Sequence, residues 1–148
     1  MSANHSASLN DKTLPEGVLL YSDDIVVRWG DMDALGHVNN TQYFRYFEQI
    51  RLAWYQQTGF GVLGGTTDGF VIVNNYAEYH KSVVWPSTVT IRMAGHSPGR
   101  SSFMSTYSLC VGDELYTTGY SKVVWIDTKT NSSIPLPQSV RELLTQKP

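Results

Sequence analysis

Thr41–Gln57 reads TQYFRYFEQIRLAWYQQ, and the spacing of its apolar residues decides the architecture. Tyr43, Tyr46, Phe47, Ile50 and Trp54 recur at i, i+3, i+4, i+7 and i+11, one face of a helix of period 3.6. Phe44, Leu52 and Tyr55 lie off that stripe. Apolar surface therefore runs nearly all round, and the helix is expected to be buried on most sides. Glu48 and Arg51 stand at i, i+3 and can pair on the remaining face. Thr58-Gly59 supplies the stop.

Something has to wrap such a helix. Before it, LLYSDDIVVRW suggests a strand from Val18 to Trp29, interrupted at Asp23-Asp24. After it comes a glycine-rich connection, GFGVLGGTTDG, which lacks the GxxxxGK[ST] pattern of a phosphate loop. The period then changes to two. Phe70 to Val84, Ser87 to His96, Ser102 to Val111 and Glu114 to Ile126 read as four strands joined by tight turns, among them Ser-Pro-Gly at 97–99 and a Gly112-Asp113 hairpin. QSVRELLTQ makes a short terminal helix. Strand, long helix and four antiparallel strands imply an α+β domain whose sheet wraps the helix. Residues 1–16 are polar and expected to be disordered, leaving 17–148 as one domain.

Composition narrows the function. A chain of 148 residues holds one domain with a real core. Eleven basic against thirteen acidic residues give a net charge of -2, which argues against a nucleic-acid partner. Cys110 is alone, so neither a disulfide framework nor a cysteine-based zinc site is expected. The N-terminal stretch has no apolar signal-peptide core, and no run reaches the ~18 apolar residues of a membrane helix. A cytoplasmic protein without a membrane partner is the expectation.

The chemistry is concentrated between the first strand and the helix, in GDMDALGHVNN, Gly30–Asn40. Part of its polarity is structural. Asn39 or Asn40 can cap the helix, and Gly36 can supply a tight turn. Asp31 and Asp33 can be plain loop carboxylates. Asp31 can raise the pKa of Asp33 by like-charge proximity or point to solvent, and solvent is the favoured reading. A metal site is not expected, because neither a helical pair of histidines nor an EF-hand loop accompanies the aspartates. A second reading joins the pieces. The N-terminus of a buried helix offers unpaired N–H groups that can stabilise an oxyanion. With Asp33 at the same spot, a carboxylate stands beside an oxyanion hole. That suffices for acyl transfer to water, with Asp33 as nucleophile or general base. A thioester suits so sparse an apparatus, because its thiolate leaves without a strong general acid. No G-x-S-x-G nucleophile elbow is present.

VRWGDMDALGHVNNTQYFRYFEQIRLAWY resembles the start of the hot-dog-fold acyl-CoA thioesterases of the 4-hydroxybenzoyl-CoA thioesterase-like type, with support from the E-x-x-R of Glu48 and Arg51. The resemblance covers about residues 18 to 128. It implies a hot-dog fold, a long central helix wrapped by a five-stranded antiparallel sheet. It implies that Asp33 is the catalytic carboxylate and that the backbone N–H of Asn40, helped by Thr41, polarises the thioester carbonyl. Gly36, His37, Val38 and Asn39 would then shape the cleft for substrate. Arg100, on the turn after the second long strand of the sheet, would contact the CoA phosphates. Some members carry two or three basic residues there, whereas Arg100 is flanked by Gly99 and Ser101, so an acyl-carrier-protein thioester stays open beside acyl-CoA. No cofactor is implied, since coenzyme A is part of the substrate. A homodimer or homotetramer is implied, with sheets joined edge to edge and the active site at the dimer interface. Two alternatives stand beside hydrolysis: a hydratase or dehydratase using His37 with Asp33 as acid and base, and a non-catalytic acyl-thioester binding module.

Overall fold

The computed structural model describes residues 11–59 and 68–146. Strand β1, Val18–Val26, leads through the polar junction into helix α1, Gln42–Gln57. Strands β2, Asp68–Tyr79, β3, Thr88–His96, β4, Ser102–Val111, and β5, Glu114–Asp127, follow, and the short helix α2, Gln138–Leu144, ends the description. All five strands form one antiparallel sheet in the order β1-β3-β4-β5-β2. This is the expected hot-dog arrangement.

One feature of the expected connectivity is corrected. β2 and β3 are consecutive but not neighbours, because β2 pairs along its length with β5 at the sheet edge. β2 also stops at Tyr79 rather than Val84. After His80 and Lys81, whose N–H groups still donate to the Tyr116 carbonyl of β5, the chain from Ser82 to Ser87 leaves the ladder and crosses to the far side of the sheet. On the way it passes the start of α1, where Val83 is 1% exposed and its carbonyl accepts the Val38 N–H at 2.8 Å. Val83 and Val84 are β-branched, which is why the sequence reads as one longer strand. The glycine-rich connection lies mostly outside the described residues.

The helix stripe packs as its spacing requires. Tyr43, Tyr46, Phe47, Ile50, Trp54 and Tyr55 are buried, with Phe47 stacked on Tyr107 of β4 at 4.6 Å and Trp54 edge-on to Phe103 at 5.8 Å. The E-x-x-R pairing does not form. Glu48 pairs with Arg45 at 2.9 Å instead. Arg51 is turned inward, 5% exposed, where its guanidinium donates to the Tyr107 hydroxyl at 3.1 Å. That hydroxyl meets Ser105 Oγ at 2.7 Å, and Ser105 donates to the Ser121 carbonyl at 3.0 Å. The long aliphatic stem of arginine fills core space, while the polar chain satisfies its head. Leu52 takes the outward side, 37% exposed.

At Gly119 of β5 the sheet backbone passes close to Phe47 of the helix. A Cβ there would lie 2.8 Å from Phe47 Cε2 and 2.8 Å from the backbone oxygen of Tyr76. The carbonyl cannot move without breaking the β2–β5 ladder. Gly119→Ala is therefore expected to cost about 1–3 kcal/mol by overpacking, read as a lower urea midpoint with unchanged slope. An unchanged midpoint would mean that this contact relaxes freely.

Ahead of β1, residues 11–13 form a 3-10 turn, Thr13 is 5% exposed, and the Glu16 carbonyl accepts the Thr106 hydroxyl at 2.5 Å. At the other end, Val140 and Leu144 of α2 enter the core.

Candidate active site

The stretch Gly30–Asn40 folds into a miniature hairpin. Met32 and Val38 form an isolated antiparallel bridge. Within it the Asp33 N–H donates to the His37 carbonyl at 3.0 Å, and the Gly36 N–H to the Asp33 carbonyl at 3.1 Å. Gly36 has φ +85, and a Cβ there would meet nothing within 4 Å. The glycine answers the sign of the backbone angle, not crowding.

This hairpin holds the Asp33 side chain. Oδ1 accepts the Leu35 N–H at 2.9 Å, and Oδ2 accepts Asn39 Nδ2 at 3.3 Å. Each oxygen keeps further lone-pair capacity. The carboxylate is half-buried in the wall of a cleft of about 460 Å³, lined also by Trp29, Met32, Ala34, Gly36 and Trp85. Trp29 and Trp85 are 74% and 43% exposed, so the rim is apolar and open. The charge of Asp33 is felt by Tyr43. Burial pushes the Tyr43 hydroxyl above its ordinary pKa, the Val83 N–H draws it partly back, and Asp33 raises it further.

Asn39 begins the helix. Its Oδ1 accepts the Thr41 N–H at 2.9 Å and the Thr41 hydroxyl at 2.6 Å, and its own carbonyl accepts the Gln42 N–H at 2.9 Å. Of the two asparagines offered as caps, Asn39 makes the contact. Both donors of Thr41, its N–H and its hydroxyl, are thereby engaged. The Asn40 N–H takes part in no hydrogen bond among the described residues.

Three contributors come from far along the chain. Tyr79, the last residue of β2, donates its hydroxyl to the Asn40 carbonyl at 2.7 Å and packs edge-on against Tyr43 at 4.8 Å. Val83 ties the Asp33 hairpin to the core through Val38. Trp85 lines the cleft, its N–H 3.3 Å from Met32 Sδ. The only sequence signal for them is their aromatic or apolar character just past a strand.

Asp31 does not face solvent, which corrects its favoured reading. It is 4% exposed and accepts the Tyr46 hydroxyl at 2.7 Å and the Arg28 N–H at 3.0 Å. Val38 does not line the cleft; at 1% exposed it is a core anchor. His37 is half-buried with Nδ1 3.4 Å from the Val38 carbonyl, and its ring makes no hydrogen bond to Asp33 among the described residues. Arg100 is exposed on the β3–β4 turn, at the opposite end of β3 from the hairpin. Nine residues at ~3.3 Å each separate the two ends of that strand, so one chain does not bring Arg100 to Asp33. Among the described residues no group of three or more His, Cys, Asp or Glu could hold a metal ion, and no helix is long and apolar enough to cross a membrane.

The fold has known counterparts. The profile of the thioesterase-like superfamily matches residues 27–144. The chain belongs to that superfamily. Among solved structures, this thioesterase-like chain is 39% identical to the PA2801 protein of Pseudomonas aeruginosa, described as a candidate thioesterase, with a TM-score of 0.79 over 84% of this chain and 97% of the other. A candidate acyl-CoA thioesterase from Xanthomonas campestris is 31% identical, with a TM-score of 0.67 over 74% of this chain and 95% of its own. The DHNA-CoA thioesterase from Staphylococcus aureus, 22% identical, shares the fold with a TM-score of 0.74 over 83% and 87%. A candidate esterase from Aquifex aeolicus is 27% identical over 120 residues, 80% of this chain and 92% of its own.

Proposed function

We propose that this protein hydrolyses an acyl-CoA thioester to the free acid and CoA. The observation that carries this reading is the Asp33 carboxylate, half-buried in the cleft wall and tied through Asn39 to a helix start whose Asn40 N–H is unpartnered among the described residues. Asp33 acts as nucleophile or as general base toward water. The Asn40 N–H, at the positive end of α1, polarises the thioester carbonyl and stabilises the oxyanion. The apolar rim of Trp29, Met32 and Trp85 receives the acyl group. An acyl-carrier-protein thioester presents the same reacting atoms. A hydratase reading needs His37 and Asp33 to work as a pair, and the His37 ring instead faces the Val38 carbonyl.

The test is release of free thiol across short, long, branched and aromatic acyl-CoAs. Release from at least one class is expected. No release from any of them would shift the assignment to a binding module or another reaction.

The proposal includes a second copy of the chain. β2 is an edge strand whose Val71, Val73, Tyr76 and Tyr79 are exposed. Two such edges joined about a two-fold axis run antiparallel, so the Asp68 end of one meets the Tyr79 end of the other. The β3–β4 turn stands at the Asp68 end, since Ser102 pairs with Val124 and Asp127 with Asp68. Asp33 stands at the Tyr79 end. In such a dimer the partner's Arg100 reaches the end where Asp33 lies and meets the CoA phosphates. Arg100→Ala is then expected to raise KM for acyl-CoA by about tenfold, the value of one charge-assisted hydrogen bond, with kcat changed less. An unchanged KM removes Arg100 from the phosphate site.

A further inference from the structure

We propose that Asn39 is a positioning residue that sets the Asp33 carboxylate against the first turn of α1. This rests on the reading that Asp33 acts on the thioester. Both ends of the Asn39 amide are used, in opposite senses. Nδ2 donates to Asp33 Oδ2 at 3.3 Å, while Oδ1 accepts the Thr41 N–H at 2.9 Å and the Thr41 hydroxyl at 2.6 Å. Its backbone is held as firmly. The Asn39 N–H donates to the Asp31 carbonyl at 2.9 Å, and the Asn39 carbonyl accepts the Gln42 N–H at 2.9 Å.

These contacts fix the orientation of the amide. A flipped Asn39 would place its oxygen against the carboxylate and its NH₂ against the Thr41 N–H, two repulsive contacts. They also explain the residue type. As a helix cap alone, serine or aspartate serves about as well as asparagine. Serine would cap without reaching Asp33 as a donor through an amide, and aspartate would set a second negative charge beside it. Only an amide caps the helix and donates to the carboxylate at once. The side chain is thus a rigid strut between the carboxylate and the turn that carries the Asn40 N–H. Loss of the strut leaves the Asp33 carboxylate with the Leu35 N–H as its one hydrogen-bond partner among the described residues.

The experiment compares Asn39→Ser, Asp33→Asn and the double variant by thiol release and thermal unfolding. N39S keeps a cap oxygen, so its Tm is expected to stay near that of the parent, while kcat falls about 10- to 100-fold with KM within about twofold. On the D33N background, N39S is expected to add little further loss, because Asn39 acts through the missing carboxylate. Full kcat in N39S would make Asn39 a cap and nothing more, and would overturn the proposal. So would a Tm drop that tracks the loss of kcat, or a loss of equal size on both backgrounds. Near-full turnover in D33N would instead remove the role of Asp33 on which the inference rests.

Discussion

Asp33→Asn is expected to lower thioester turnover by about 10²- to 10⁴-fold, the range for removal of a general base. The substitution is nearly isosteric. An amide oxygen at position 33 still accepts the Leu35 N–H that shapes the hairpin. The Met32–Val38 bridge, the Asp33 N–H and the Gly36 N–H are backbone contacts and remain. Unfolding free energy should therefore change by no more than ~1 kcal/mol, since one hydrogen bond from Asn39 is altered near the surface. What disappears is negative charge at the cleft wall, and with it both possible roles, attack on the carbonyl and removal of a proton from water. Steady-state thiol release and urea unfolding measured on the same preparation check the two halves. A D33N enzyme with near-full turnover would assign the chemistry to another group.

The aspartate two positions earlier should behave in the opposite way. Asp31→Ala is expected to destabilise the fold by about 3–5 kcal/mol, as two donors lose a buried charged acceptor. Its carboxylate is 4% exposed and takes the Tyr46 hydroxyl at 2.7 Å and the Arg28 N–H at 3.0 Å, with the Arg28 guanidinium 3.4 Å away. Tyr46 is itself buried, 3% exposed, so its hydroxyl cannot turn to water. Burial, then the hydrogen bond to Asp31, hold that hydroxyl far above its ordinary pKa, which keeps it a donor throughout the working pH range. Chemical denaturation gives the loss directly. A change below ~1 kcal/mol would mean that water enters to replace the carboxylate. Together the two variants separate scaffold from chemistry within a D-x-D.

The helix and five strands were legible in the sequence because period 3.6 and period two report which side chains face inward. The same periods carry no information on strand order. Within residues 80–87 Pro86 marks a break, but it does not say that the chain abandons β5 and crosses to β1, and Val83 and Val84 suit a strand. Local contacts were partly readable. Asp33 and Asn39 are six residues apart with Gly36 between them, so a tight hairpin brings them together. The burial of Asp31 is not legible because its partner Tyr46 lies fifteen residues on, and that contact is a tertiary fact. The inward turn of Arg51 is hidden for a related reason. Its spacing from Glu48 permits a surface pair, but the core opposite it holds the Tyr107 hydroxyl, and that decided the rotamer.

Tyr79 bears on how this protein can be engineered. At 41% exposed on an edge strand, it looks like a free position, the sort where lysine or proline is placed to discourage aggregation along an open edge. Yet its hydroxyl grips the Asn40 carbonyl at 2.7 Å, and its ring braces Tyr43. A solubilising change there would be paid at the helix start. Val71 and Val73 are as accessible and carry no such tether among the described residues, yet they lie on the edge that the proposed dimer covers, so a lysine or proline at either would oppose the dimer.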